Sequence, residues 1–310
     1  MKAVRVLQYG SPDVIQYAEI PRPEPANGQL RVRVKAAGVG PWDALVREGK
    51  SGVPQTLPLT LGSDIAGIVD VTGANVSGFN VGDEVYGVTN EQFTGGYAEY
   101  ALASAGMMAR KPKVLSFIEA ASAPVVAVAA WQMLFEYAHA AAGQQVLVQG
   151  GAGNVGAYAV QLAKNAGLDV IATASSRDME YVRSIGASTV VDFHHTRFED
   201  VVAGVDVVLD TVGGETRERS MRILKPGGML VSVVSTPIPK ESGAEDGAKA
   251  VFFIAEVTTA RLNKISELFD SGKLAPQVGT VLPLQDARTA HEMLAGAAHA
   301  RGKIVLNVAA

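Results

Sequence analysis

Residues 145–167, QVLVQGGAGNVGAYAVQLAKNAG, decide the fold. The apolar run Gln145–Gly150 reads as a buried strand and Ala157–Ala166 as the helix that follows it. Between them stand Gly151, Gly153 and Gly156 in the spacing G-x-G-x-x-G. That spacing points to a bound dinucleotide only when a strand precedes it and a helix follows, and both conditions hold. The first glycine makes the turn, the second lets the backbone approach a diphosphate, and the third lets helix pack closely on strand. Diphosphate charge is then met by the amide groups at the helix N-terminus.

The same alternation extends to both sides. DVIATA (169–174), STVVDF (188–193), DVVLDTV (206–212) and GMLVSVV (228–234) are short apolar runs separated by helical segments. Such a pattern predicts a parallel sheet covered on both faces, a doubly wound α/β domain. It begins near 116, where Ser116 and Glu119 form a capping box and Val125, Val128, Trp131, Leu134 and Phe135 recur at helical spacing. It ends near 255. Residues 1–115 read instead as β-rich: LRVRVKAA (30–37) alternates with period two, and glycine punctuates the runs up to residue 104. Two helical segments follow 256, and the closing strand KIVLNV (303–308) is expected to return to the first domain.

Composition narrows the function. The chain of 310 residues is 48% hydrophobic and 19% charged, enough for two packed domains. Lys and Arg total 27 against 31 Asp and Glu, a net charge of −4 that argues against a nucleic-acid partner. There is no cysteine, which removes disulfides, thiolate catalysis and thiolate metal sites together. The N-terminal MKAVRVLQYG lacks the apolar core of a signal peptide, and the longest apolar stretch is too short for a membrane span. A cytoplasmic protein with no membrane partner is expected. The five histidines offer no ligand set, so no metal is expected.

Choice of dinucleotide is written about 20 residues beyond the glycines, at the end of the second strand. An NAD-binding chain carries Asp or Glu there for the ribose 2′-hydroxyl. This chain has Ser175, Ser176 and Arg177, two hydroxyls and a guanidinium suited to a 2′-phosphate, so the expected cofactor is NADPH. Ser175 as a helix cap and Arg177 as a solvated charge is the plainer reading, compatible with the first.

The stretches AAGVGPWDALVREG (36–49), LPLTLGSDIAGIV (57–69), VGDEVYG (81–87), GGYAEYALAS (95–104), DTVGGET (210–216), LKPGGMLVSV (224–233) and ARGKIVL (300–306), with the glycine loop, resemble the medium-chain dehydrogenase/reductase superfamily. Within it they resemble the zinc-free quinone oxidoreductase and 2-alkenal reductase group, over essentially the whole chain. The resemblance implies a GroES-like catalytic domain over 1–115, completed by 256–310, and a Rossmann NADPH-binding domain over 116–255. It also implies that Gly40 and Ser63 stand where zinc-dependent members carry a ligand Cys and a ligand His. A Lewis acid steadies the alkoxide of an alcohol substrate. Conjugated C=C bonds and quinones spread the developing charge into an enolate or hydroquinone, and so need it less.

By the same resemblance Gly151 belongs to the cofactor-binding loop, Gly153, Asn154 and Val155 contact the diphosphate, and Ser175, Ser176 and Arg177 take the 2′-phosphate. Phe193 stands where relatives often carry a tyrosine. Val212, Ser235, Phe252, Phe253 and Ile254 fall on the nicotinamide side. Pro41, Trp42, Asp43 and Phe253 belong to the substrate pocket. Asp43 either relays a proton or holds local backbone, and no side chain stands out as an essential acid. A small-molecule substrate and a homodimer are expected. Two alternatives stay open: a cofactor-binding structural or regulatory protein without turnover, and an enoyl-thioester reductase.

Overall fold

The computed structural model describes residues 1–234 and 247–308. The chain divides into two compact units, Met1–Val125 with Val257–Ala310, and Val126–Glu256.

In the first unit β1 (Lys2–Val6) lies between β2 (Ile15–Glu19) and the short β4 (Leu59–Thr60), both antiparallel to it. A larger sheet is built around β3 (Gln29–Val39), which pairs antiparallel with β5 (Asp64–Thr72) and β7 (Tyr100–Ser104). Beyond β5 come β6 (Glu84–Val88) and β8 (Met108–Arg110). Helix α1 (Pro41–Glu48) opens with proline at its first position, where the missing N–H costs nothing, and stops at Gly49 with φ 70°. Helix α2 (Phe117–Ala121) is capped by Ser116 and Glu119, as its sequence predicts. It packs on β3 and β5, and Gly38 admits it: a Cβ there would stand 2.3 Å from the Ala121 carbonyl oxygen. This unit therefore runs on to Val125, past the boundary expected at 115.

Helix α3 (Pro124–Trp131) continues as a π-helical turn over Gln132–Tyr137. The second unit is then a six-stranded parallel sheet of β9 (Gln145–Gln149), β10 (Asp169–Ala174), β11 (Thr189–Asp192), β12 (Val205–Asp210), β13 (Leu224–Ser232) and β14 (Lys249–Phe252). Its order is β11-β10-β9-β12-β13-β14, the doubly wound order in which the winding reverses between β9 and β12. Helices α4 (Asn154–Asn165), α5 (Met179–Ser184) and α6 (Gly214–Met221) connect the strands. Leu147, Val208 and Leu230, from three adjacent strands, are fully buried in its core.

The chain then returns to the first unit through α7 (Thr259–Asp270), β15 (Val278–Pro283), α8 (Ala287–Leu294) and β16 (Lys303–Asn307). Strand β16 pairs antiparallel with β3 and parallel with β15, so the last strand completes the first unit's sheet.

Candidate functional site

Ligands of open parallel sheets sit outside the carboxyl ends of the strands, where the winding reverses. A cavity of about 700 Å³ lies there in the second unit, lined from the ends of four strands. After β9 come Gly150, Ala152 and Gly153; β10 and the turn beyond it give Thr173 to Asp178; Phe193 and His194 follow β11; Thr211 and Val212 follow β12.

Backbone geometry explains the opening. The residue that turns the chain is Gly150, at φ 77°, one position before the first glycine of the motif. A Cβ on it would meet the Thr211 hydroxyl at 2.7 Å. Thr211 donates that hydroxyl to the Gln149 carbonyl at 2.7 Å, and Thr173 receives the Gly150 N–H at 3.0 Å while donating to Gln149 Oε1 at 2.8 Å. These bonds fix the loop to its neighbouring strands. Gly156 carries no open space at all: its Cβ would stand 2.1 Å from the Gly150 oxygen. It is the close contact of helix and strand that the motif requires. At Gly153, the N-cap of α4, a Cβ would meet only that same oxygen, at 3.2 Å. The backbone there is bare toward the cavity, so the loop fits a diphosphate.

Of the residues picked out by sequence, Gly153, Ser175, Ser176, Arg177, Phe193 and Val212 line this cavity, Val212 half exposed. Gly151 does not; a Cβ on it would press Ala172 at 2.8 Å, so its smallness serves packing. Asn154 and Val155 open α4 without lining the space. Phe252 ends β14, Ile254 is exposed, and Phe253 is buried with its ring stacked 4.3 Å from Tyr137. Ser235 lies outside the described residues. Thr173, Asp178, His194 and Thr211 were not singled out by sequence; each sits within two residues of one that was, and only the strand ends bring them in.

Both serines are engaged by carboxylates. Ser175 donates to Asp178 Oδ2 at 2.8 Å, and Ser176 to Asp192 Oδ2 at 2.5 Å. Asp192 also meets His195 Nδ1 at 2.9 Å and the His194 N–H at 3.0 Å, and these partners, Ser176 first, lower its carboxyl to about 2. Arg177 turns only its Nε toward Asp178, at 3.3 Å, and its side chain is 84% exposed.

In the first unit the residues expected near substrate form a buried polar group. Asp43 is fully buried; its Oδ2 accepts the Gly40 N–H at 2.8 Å and the Tyr97 hydroxyl at 2.9 Å, and burial raises it to about 7. It caps α1 and anchors Tyr97, the backbone-holding role. Trp42 folds back on Gly40, where a Cβ would stand 2.3 Å from the indole ring. Its Nε1–H donates to Ser63 Oγ at 3.0 Å, and Lys303 Nζ lies 4.1 Å from the ring centroid. Lys303 in turn pairs with Asp64 at 3.2 Å, both fully buried.

Comparison with known proteins places these features in a class. Residues 26–113 match the alcohol dehydrogenase GroES-like domain and residues 185–306 the zinc-binding dehydrogenase domain. The chain is 30% identical to a quinone oxidoreductase of Pongo abelii over 322 residues, covering 99% of this chain and 97% of that one. It is 33% identical to a chloroplastic NADPH-dependent alkenal/one oxidoreductase of Arabidopsis thaliana, over 99% of this chain and 79% of the relative. The structure of a quinone oxidoreductase from Coxiella burnetii superposes with a TM-score of 0.90 at 34% identity, covering 99% of each chain. A GroES-like unit joined to a nucleotide-binding one in this way defines a two-domain oxidoreductase. The chain belongs to the medium-chain dehydrogenase/reductase superfamily, with the quinone and alkenal/one oxidoreductases among its relatives.

One domain description names zinc, and the residues here do not fit it. Gly40 has no side chain and the Trp42 ring covers it, while Ser63 Oγ is taken by the indole N–H. Among the described residues no group of three or more His, Cys, Asp or Glu could hold a metal ion.

Proposed function

We propose that this chain is an NADPH-dependent, metal-independent reductase that delivers hydride to quinones or α,β-unsaturated carbonyls. The observation that carries the reading is the strand-end cavity, with a bare glycine loop on one wall and Ser175–Ser176–Arg177, with no acid at the end of β10, on the other. The names of the quinone and alkenal/one oxidoreductase relatives support the reaction class, and one of those names specifies NADPH.

When bound, the reduced nicotinamide supplies the hydride. The chain's own residues supply binding and orientation. Gly153 leaves room for the diphosphate, and Asn154 and Val155 present the first amides of α4 to its charge. Arg177 meets the 2′-phosphate with the ends of its guanidinium. Val212, Phe252 and Ile254 are assigned to the nicotinamide end, with Phe253 holding that segment to Tyr137 from beneath. Pro41 and Trp42 remain the candidate substrate contacts of the first unit. Asp43 is sealed from solvent, its Oδ2 accepting from Gly40 and Tyr97, and the proton that completes the reduction is assigned to water or to a donor other than this carboxylate. A homodimer in the cytoplasm belongs to this reading; among the described residues no helix is long and apolar enough to cross a membrane.

The test is anaerobic NADPH consumption by purified protein against panels of 2-alkenals, cyclic enones and 1,4-quinones. Turnover of at least one panel is expected and selects the substrate class. Tight NADPH binding with no consumption on any acceptor overturns the reading in favour of a non-catalytic cofactor-binding protein.

A further inference from the structure

The donors around the 2′-phosphate end of the cavity are fewer than the sequence promises. Ser175 and Ser176 both spend their hydroxyl hydrogens on carboxylates, Asp178 and Asp192. Phe193 lines the cavity without a polar atom. Two side chains there keep donors in reserve. One is Arg177, whose terminal guanidinium nitrogens have no partner among the described residues. The other is His194, which lines the cavity with its ring 4.3 Å from that of Phe193 and whose imidazole makes no hydrogen bond to any described residue.

Resting on the NADPH reading above, we infer that His194 is a specificity-determining residue of this cavity, donating a ring N–H to the cofactor's 2′-phosphate. The charges that face it argue the same way. On its own segment stand Asp192, which accepts the His194 N–H, and His195, paired with that carboxylate. Across the cavity, after β10, stand Arg177 and Asp178. Two carboxylates there oppose one guanidinium, so a phosphate needs every donor that the wall still offers. Hydrogen bonds to a charged phosphate are the strong ones, and His194 supplies the N–H that the engaged serines do not. Preference for a 2′-phosphate over a 2′-hydroxyl therefore rests on His194 together with Arg177.

The experiment measures binding rather than turnover, with adenosine 2′,5′-bisphosphate and adenosine 5′-monophosphate titrated calorimetrically at one fixed pH. Wild-type protein is expected to prefer the bisphosphate. His194→Leu is expected to lose about tenfold in bisphosphate affinity, with its monophosphate affinity unchanged. His194→Gln, which keeps an N–H donor, is expected to recover part of that loss. If wild type prefers the bisphosphate and His194→Leu does so equally, the inference fails and the NADPH reading stands. Equal loss of both ligands marks a structural role and also overturns the inference. If wild type binds the two ligands alike, the NADPH reading itself falls.

Discussion

Alanine at Gly156 and alanine at Gly153 are expected to fail in different ways, although the two glycines belong to one motif. At Gly156 the new methyl would stand 2.1 Å from the Gly150 oxygen, 2.9 Å from the Gly150 carbonyl carbon and 3.1 Å from the Gly151 Cα. All three are backbone atoms, so nothing can swing aside; strand and helix must separate by about 1 Å to restore ordinary contact. Overpacking of this kind costs roughly 1–3 kcal/mol. At about 2 kcal/mol in a unit of this size, the melting temperature falls by about 6 °C. At Gly153 the methyl meets a single atom at 3.2 Å, and the backbone, at φ −73° and ψ 167°, is ordinary extended geometry. Gly153→Ala therefore costs under about 1 kcal/mol, chiefly the weaker N-cap. What it loses is the bare surface for the diphosphate, at about tenfold in NADPH affinity. Thermal melting of both variants, with and without NADPH, reads the two effects separately. Gly156→Ala melting with wild type would refute the close helix–strand contact. Gly153→Ala with full NADPH affinity would refute the diphosphate site on this loop.

Lys303→Met leaves Asp64 buried without its cation and is expected to destabilise the protein by about 3–5 kcal/mol in chemical denaturation. Adding Asp64→Asn should recover most of that loss. Two buried groups around Tyr97 pull stability in opposite directions with pH: Asp43 on its hydroxyl, and His291, whose ring lies 6.1 Å from the tyrosine's and whose Nδ1 stands 2.9 Å from Arg47. Burial raises Asp43 to about 7, so the folded chain keeps a proton the unfolded chain has released, and stability from this group declines as pH climbs from 4 toward 7. Burial, then the neighbouring Arg47, lowers His291 to about 3, so its contribution is present above the ordinary histidine range and is lost as pH falls through it. Relative to wild type, Asp43→Asn should gain stability with rising pH between 4 and 7, and His291→Gln should lose it; denaturation midpoints across that range check both signs. Arg177→Glu is expected to raise the KM for NADPH at least about tenfold and to leave that for NADH nearly unchanged.

Much of this was legible in the sequence because it is written in local pattern. The capping box at Ser116, the glycine spacing after β9 and the alternating apolar runs each specify local geometry, and the sheet order follows from how such units wind. What escaped was set by tertiary contact. The turn falls on Gly150 because Thr211, 61 residues away in sequence, occupies the space beside it. Phe253 is read by motif as a pocket residue, yet its ring is buried on Tyr137. Ser176 reads as a phosphate donor because its sequence neighbourhood hides Asp192, which arrives from the next strand, whereas Ser175 is taken by Asp178, three residues further on. The fold boundary slipped past 115 because α2 carries a helical pattern like that of the second unit but packs on β3 and β5.

The proposed function stands or falls on whether the strand-end cavity holds NADPH in preference to NADH. Parallel calorimetric titrations of the two cofactors into the purified protein test it most directly. NADPH binding at least about tenfold tighter is the predicted result, as a cationic contact to one additional phosphate requires. NADH binding equally well or better would contradict it.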